Sequence, residues 1–204
     1  QSEAFTGKKP MVKYWLHNGF ITINSEKMSK SLNNFFLVKD VLEHYSPDAL
    51  RFFLISNHYR SPLDFSDERL EEMTRSLERL GTAIDNVLEL LAMPAGAESP
   101  EAQQLLETAH KDEEAFENAM CDDFNTALAS AAMFDLAKNV NIFKNAVVNN
   151  GVPVDSAALS EVKRVFKTFT DILGILEDRW TGKKEDASSK DYDDLMQIGR
   201  ASCR

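Results

Sequence analysis

Four stretches in the second part of the chain carry apolar residues at the spacing of an amphipathic helix. The first stretch begins after Ser66, a plausible N-terminal cap, and ends at Met93-Pro94-Ala95-Gly96. Its apolar positions alternate steps of three and four, which places them on one face of a helix of about seven turns: Leu70, Met73, Leu77, Leu80, Ile84, Val87 and Leu91.

The other three stretches repeat this pattern. The second predicted helix begins at Ser99-Pro100, the third spans about 125–149 and stops at Asn149-Asn150-Gly151, and the fourth spans about 157–177. Their inward positions are Leu105, Ala109, Phe116 and Met120, then Leu128, Ala132, Leu136, Val140, Phe143 and Val147, then Leu159, Val162, Phe166, Phe169, Leu173 and Leu176. Four such helices on short connections predict an antiparallel bundle over 66–177. We expect its core to contain Leu77, Leu80, Leu136, Phe143, Phe166 and Phe169.

The first 65 residues have a shorter and less regular pattern. Trp15-Leu16-His17 and Phe20-Ile21-Thr22-Ile23 favour two strands joined by the turn dipeptide Asn18-Gly19. A polar loop follows, from Asn24 to Asn34. A helix then begins at Leu37 and stops near Ser46-Pro47, where a second helix of about 47–57 begins, with Leu50, Phe53 and Leu54 on one face.

From Thr181 onward the sequence becomes polar, which is typical of a solvated linker. The last residues, 198–204, continue no pattern and resemble a translated sequencing adapter, so we interpret them as an artefactual tail. The pattern therefore divides the chain into 1–65, a bundle domain 66–180, and the linker and tail 181–204.

Charge and cysteine content narrow the function classes. The net charge is −10, which disfavours a protein that coats nucleic acid without specificity. Two unpaired cysteines, Cys121 and Cys203, offer neither a disulfide framework nor a Cys-x-x-Cys metal site. With no long apolar run and no signal peptide, we expect a cytoplasmic protein with no membrane contact.

One segment, Lys27-Met28-Ser29-Lys30-Ser31, carries recognisable chemistry. Two lysines three positions apart on a serine-flanked loop can bring two ammonium groups to one polyphosphate, and the hydroxyls add donors. A flexible point charge of this kind suits the stabilisation of charge that develops as pyrophosphate departs. A solvent-facing polar loop is the alternative interpretation.

This segment matches the K-M-S-K-S signature of class I aminoacyl-tRNA synthetases, and its surroundings resemble the cysteinyl-tRNA synthetase family. The resemblance covers about residues 1–180. It is carried by Tyr14 to Phe20, Ser31 to Phe36, Asp48-Ala49-Leu50-Arg51, His58 to Ser66, and Asp122-Asp123-Phe124-Asn125-Thr126. It implies a mainly α chain: the end of a class I Rossmann-type catalytic domain with the lysine loop, then an antiparallel helical bundle of the DALR type that binds tRNA.

The resemblance also implies a reaction and its residues. ATP, with magnesium, would activate cysteine to cysteinyl-adenylate, which then passes to tRNA(Cys). Lys30 and Lys27 would be catalytic, and Lys27, Met28, Ser29, Lys30 and Ser31 would bind ATP. Arg51 would be structural rather than catalytic, and the family suggests a monomer.

The resemblance further implies parts that this sequence does not carry. No residues match the His-Ile-Gly-His-type motif, and the zinc ligands of the full-length enzyme are not in this chain, so no residue here is expected to bind metal. We therefore expect a C-terminal fragment that is inactive alone. His17, His44, His58 and His110 read as structural, and Cys121 as a small residue at a helix entry.

The sequence is also compatible with two other functions. A paralogous ligase, which joins cysteine to a glucosamine-inositol amine in mycothiol synthesis, shares the lysine loop, although the long bundle favours the synthetase. A non-catalytic helical interaction module would explain the acidic bundle but not the lysine loop. Within the bundle, Lys163, Arg164 and Lys167 form a candidate tRNA patch, for which a solvated helix face is the simpler interpretation.

Overall fold

The computed structural model describes residues 1–23, 26–28 and 37–182. The helices are α1 Ser2–Thr6, α2 Val38–Leu42, α3 Pro47–Ile55, α4 Asp67–Ala92, α5 Pro100–Cys121, α6 Thr126–Asn150, α7 Ser156–Leu173 and α8 Glu177–Thr181. The strands are β1 Ile21–Ile23, β2 Glu26–Lys27 and β3 Leu63–Phe65. None of these helices combines the length and the apolar character that crossing a membrane requires.

The four long helices form the predicted bundle. Helix α5 packs against α6 and α7, and α4 packs against the same two helices. All six residues expected in the core are buried, and Phe116 stacks on Phe169 with ring centroids 4.3 Å apart. The helix pattern was readable because each of these helices presents one apolar face to the others.

Polar side chains cap the N-terminus of each long helix. Ser66 and Ser99 accept hydrogen bonds from the N–H groups three residues on, at 3.3 and 3.1 Å. Asn125 and Asp155 do the same for α6 and α7. Gly151 ends α6 in the left-handed conformation with φ 68°, as predicted. These caps satisfy helix-terminal groups that have no partner within the helix.

The fourth helix is shorter than predicted. It ends at Leu173 because Gly174 takes a left-handed conformation with φ 66°, and Leu176, predicted within the helix, lies beyond it with φ 58°. Leu176 is nevertheless buried, so the apolar pattern continued past the point where the helix stops. The chain then turns into the short helix α8.

Two residues of the predicted apolar faces are exposed. Leu54 and Leu128 have 47% and 56% of their surface accessible, respectively. On α3 the buried residues are instead Ala49, Phe52 and Phe53. The error arose because α3 packs on two sides, and its apolar face cannot be assigned from one stripe: Phe52 belongs to the bundle core, whereas Phe53 packs with Val41, Leu63 and Leu70 in a second, smaller core.

The predicted hairpin at Asn18-Gly19 is wrong. Residues 15–17 form no strand, and the N–H of Gly19 donates to the carbonyl of Tyr59 at 2.7 Å. A Cβ atom on Gly19 would lie 2.3 Å from the carbonyl oxygen of Ser61. Glycine is therefore required here for close backbone approach rather than for a turn.

The polar loop predicted from Asn24 to Asn34 is also interrupted. Glu26 and Lys27 form β2, which pairs antiparallel with β1, while β1 pairs in parallel with β3. The sheet order is β2-β1-β3. Residues 24, 25 and 29–34 of the predicted loop lie outside the described residues, as do 35, 36 and 183–204, the last range being the greater part of the predicted linker and tail.

Candidate functional site

The small sheet positions the start of the lysine loop. Lys27 is paired with Thr22 across β1 and β2, so its backbone lies at a sheet edge. The Thr22 hydroxyl donates to Asp64 Oδ1 of β3 at 2.7 Å, which ties the central strand to the other edge. Met28 follows β2 and is half-buried. The remaining predicted site residues, Ser29, Lys30 and Ser31, lie outside the described residues.

The segment that leads into β3 is held by a carboxylate from the bundle. Asp123 Oδ1 accepts hydrogen bonds from the Tyr59 hydroxyl at 2.8 Å and from Arg60 Nη2 at 3.1 Å. Its other oxygen lies 2.9 Å from Arg60 Nε and 3.7 Å from His58 Nε2. One carboxylate therefore joins the α5–α6 corner to the chain that runs alongside Gly19 and into the sheet.

This corner has an unusual backbone. Asp123 and Phe124 both have positive φ, 56° and 55°, although neither is glycine. Such conformations are uncommon for residues with side chains and persist where the surroundings impose them. The N–H groups of Phe124 and Asn125 donate to the carbonyls of Met120 and Ala119, so the corner keeps its backbone hydrogen bonds while it presents Asp123.

Helix α3 is joined to the end of the bundle by Asp48. Its Oδ2 accepts a hydrogen bond from the N–H of Leu176 at 2.7 Å, at the point where the chain turns from α7 to α8. Burial raises the pKa of the Asp48 carboxyl, and the hydrogen bond from Leu176 acts in the opposite direction. Asp48 thereby satisfies a backbone group that would otherwise have no helical partner.

Two arginines pack against glycines at the same end of the molecule. Arg51 lies over Gly174, where an added Cβ would be 3.1 Å from its Nη1. Arg179 lies over Gly81 at a similar distance and pairs with Asp85 at 2.6 Å. These contacts give Arg51 a packing role between α3 and the bundle.

The candidate tRNA patch is largely neutralised by carboxylates. Arg164 forms a two-point interaction with Glu113 at 2.9 and 2.8 Å and also contacts Glu161. Lys167 pairs with Asp171 at 2.7 Å. Hydrogen bonds to Glu113 and then to Glu161 raise the pKa of Arg164, because the charged form is the one that is hydrogen-bonded. The arrangement fits a solvated, self-paired helix face.

Both segments, 58–66 and 122–126, carried part of the family resemblance in the sequence. No local signal indicated that Asp123 would contact Tyr59 and Arg60. His110 lies 3.5 Å from Glu161, and Cys121, expected at a helix entry, is instead the last residue of α5 and is exposed. Within the described ranges, no group of three or more His, Cys, Asp or Glu side chains could hold a metal ion.

Comparison with known families separates the two parts of the chain. Residues 1–75 match the family described as the tRNA synthetases class I (C) catalytic domain, and residues 115–177 match the DALR domain. This combination of a catalytic segment and a helical domain is that of a class I aminoacyl-tRNA synthetase. Its mainly helical architecture agrees with the fold class predicted from the sequence.

The relatives narrow the family. The chain is 48% identical to a cysteine–tRNA ligase of Desulforamulus reducens over 90% of its own length and 38% of the relative's. It is 43% identical to that of Heliobacterium modesticaldum over 97% of its length and 41% of the relative's. The chain belongs to the cysteine–tRNA ligase family, and it spans about two fifths of the length of these relatives.

A solved structure supports the fold. The ternary complex of Agrobacterium radiobacter K84 agnB2 LeuRS with tRNA and LeuAMS matches 80% of this chain and 21% of its own chain, with a TM-score of 0.60 and 21% sequence identity. At this identity the likeness concerns the fold, and the family assignment rests on the closer sequence relatives.

Proposed function

We propose that this chain supplies the lysine loop and the tRNA-binding bundle of a cysteine–tRNA ligase. The observation that carries the proposal is the complete Lys27-Met28-Ser29-Lys30-Ser31 segment in a chain of this family, which begins at the last residue of the strand Glu26–Lys27. Residues 1–65 would belong to the catalytic domain, 66–180 would form the tRNA-binding domain, and 181–204 would be a linker and tail.

The proposed reaction has two steps. The carboxylate of cysteine attacks the α-phosphate of ATP, the bond to the β-phosphate breaks, and pyrophosphate leaves. The cysteinyl group of the adenylate then passes to the 3′ end of tRNA(Cys), and AMP is released. Magnesium bound to ATP shares the charge of the triphosphate.

In the first step the loop residues act on the leaving group. The Lys30 ammonium stabilises the charge that develops between the α- and β-phosphates, and Lys27 assists from the strand end. Met28, Ser29 and Ser31 shape the loop around ATP, with the hydroxyls as additional donors. An interaction made mainly in the transition state raises the rate more than it raises affinity for ATP.

The sheet matters to this role because a loop that closes on ATP needs a rigid attachment point. The pairing of Lys27 with Thr22, and the bond from Thr22 to Asp64, provide one. The described residues contain no group that could bind zinc, so none of them is given a role in zinc chemistry. We further propose that the whole protein is a cytoplasmic monomer.

The test is a chimera in which the aligned part of this chain, 90% of its length, replaces the matching segment of the Desulforamulus reducens enzyme. We expect cysteine-dependent ATP–pyrophosphate exchange and cysteinylation of tRNA(Cys). The matched control is the same chimera with Lys30→Ala, which should fold alike and lose exchange.

The acceptor decides between the synthetase and its paralogue. A folded chimera that forms the adenylate but transfers cysteine to an amino sugar and not to tRNA would contradict the proposal. A folded chimera without exchange, beside an active parent enzyme, would contradict the assignment of the loop.

A further inference from the structure

A groove runs between α5 and α6 on the surface of the bundle. It has a volume of about 490 Å³ and is lined mainly by small or apolar side chains. Its floor and walls consist of Ala115, Ala119, Leu128, Ala131 and Ala132, with Asn118 beside them. The exposure of Leu128, which the helical pattern placed in the core, is explained by its position at this groove.

At one end of the groove lies a carboxyl group without a hydrogen-bond partner. Asp112 is 7% exposed, and its Oδ2 atom is buried and accepts no hydrogen bond among the described residues. Buried polar groups in proteins are nearly always hydrogen-bonded, and one that is not requires an explanation. Oδ2 itself is closed to the groove, but Asp112 is among the residues that line it, so its carboxylate is a charged group that a ligand there would meet.

The surroundings of Asp112 are unfavourable to its negative charge. Burial, and then Asp135 on α6, raise the pKa of Asp112 from 3.8 to about 6, while the neighbouring Lys111 lowers it. The pair Asp112 and Asp135 thus concentrates negative charge at one end of an apolar surface. A cation that entered the groove would favour the ionised form of Asp112.

A third carboxylate lies at the opposite end of the groove. Asp122 caps α5 ten residues after Asp112, which corresponds to about 15 Å along the helix axis. Between the two ends the lining is mostly alanine. Carboxylates at both ends of an apolar floor match a linear molecule with a cationic group at each end and methylene groups between them.

We propose that this groove binds a linear alkyl diamine, with one ammonium group at Asp112 and Asp135 and the other at Asp122. The net charge of −10 favours such a ligand electrostatically. A metal ion is disfavoured, because the described residues contain no group of three or more ligands for one.

The first test is calorimetric titration of the full chain at about pH 8 with octamethylenediamine, spermidine and octylamine. The diamine should bind at a single site, and spermidine, whose middle ammonium would lie over the alanine floor, should bind more weakly. Octylamine should bind about ten- to a hundredfold more weakly, since it lacks the second charged hydrogen bond. Equal affinity for octylamine and the diamine would overturn the two-ended site.

Variants separate the site from general charge attraction. Asp112→Asn should weaken diamine binding about ten- to a hundredfold, whereas Glu107→Gln, an exposed carboxylate on the same helix, should have little effect. Asp112→Asn removes a negative charge that burial and Asp135 disfavour, so the variant should remain folded. A loss of diamine binding in this variant would therefore reflect the site and not misfolding. Ala115→Leu fills the groove without changing charge and should weaken binding at least tenfold.

The pH dependence supplies an independent readout. Lowering the pH from about 8 to about 5 should weaken binding roughly tenfold in the wild-type chain, because Asp112 takes up a proton with a pKa of about 6. The charged groups that act on Asp112, Asp135 and Lys111, remain in the Asp112→Asn variant, in which this dependence should be much smaller. Identical affinity of all three variants and the wild type would show non-specific attraction to an acidic protein and overturn the proposal.

Discussion

Arg60 and Asp123 form a two-point ion pair across 63 positions of sequence, with Nε–Oδ2 and Nη2–Oδ1 distances of 2.9 and 3.1 Å. Arg60 belongs to the segment that leads into β3, and Asp123 to the corner between α5 and α6. Because β3 pairs with β1, and β1 with the strand of Lys27, this contact links the bundle to the sheet at the base of the lysine loop.

The first prediction concerns this link. Asp123→Asn keeps a residue type that tolerates positive φ but removes the charge that Arg60 and Tyr59 contact. Amide exchange at Gly19 and Ser61, measured by hydrogen–deuterium exchange, should become faster because their segment loses its anchor. Asp171→Asn, which removes a carboxylate paired only along its own helix face with Lys167, should leave these amides unchanged. If exchange at these amides were unchanged in Asp123→Asn, the pairing of the strands alone would be enough to hold the segment that leads into β3.

The second prediction ranks the two lysines. In the chimera described above, Lys30→Ala should slow ATP–pyrophosphate exchange by about a hundred- to a thousandfold, the effect of removing one well-placed transition-state donor. Lys27→Ala should cost less, and the affinity for cysteine should barely change in either variant. If Lys30→Ala exchanged pyrophosphate at the parent rate, the loop would be a passive cover.

The third prediction concerns the close approach at Gly19. Gly19→Ala places a methyl group 2.3 Å from the Ser61 carbonyl oxygen, so the backbone must separate there. The hydrogen bond from Gly19 to Tyr59 should be lost, and urea denaturation should show a loss of about 1–3 kcal/mol in the free energy of unfolding. Asn18 is exposed and adjacent to Gly19, and Asn18→Ala should change the free energy of unfolding by less than about 0.5 kcal/mol. A neutral Gly19→Ala would contradict the observed packing.

The fourth prediction concerns the bundle core. Phe166 is fully buried and meets Trp180 edge-to-face, with ring centroids 6.3 Å apart. Phe166→Ala should lower the free energy of unfolding by about 3–5 kcal/mol, because the cavity is only partly filled by relaxation. Ile172→Ala on the exposed face of the same helix should cost no more than about 0.5 kcal/mol. Similar effects of the two changes in denaturation would place Phe166 outside the core.

The fifth prediction follows from the pKa of Asp112. A carboxyl whose folded pKa of about 6 exceeds its unfolded value of 3.8 binds its proton more tightly in the folded state. Its ionisation therefore lowers stability as the pH rises from about 4 to about 6, and the penalty remains above that range. Asp112→Asn should raise the free energy of unfolding at about pH 8, by at most about 3 kcal/mol, and change it little at about pH 4. Urea denaturation at the two pH values checks this, and equal effects at both would contradict the linkage.

The amino-acid sequence was sufficient for the features that depend on neighbouring positions. Helical spacing defined the bundle and its buried phenylalanines, and Ser66 and Ser99 marked where two of its helices begin. These signals are readable because the partners involved lie within one or two helical turns of one another. The lysine loop was equally visible, since its residue types alone suggest phosphate chemistry.

The tertiary structure alone decided the contacts between distant segments. Asn18-Gly19 has the composition of a hairpin turn, yet Gly19 is needed for its approach to Ser61, 42 positions away. Asp123 and Arg60 gave no local sign that they would meet, and no local signal distinguished Asp112 from the other carboxylates of α5. In each case the role of the residue depends on which distant chain segment packs beside it. The burial of both hydrophobic cores, rather than any local conformational preference, determines which segments pack together.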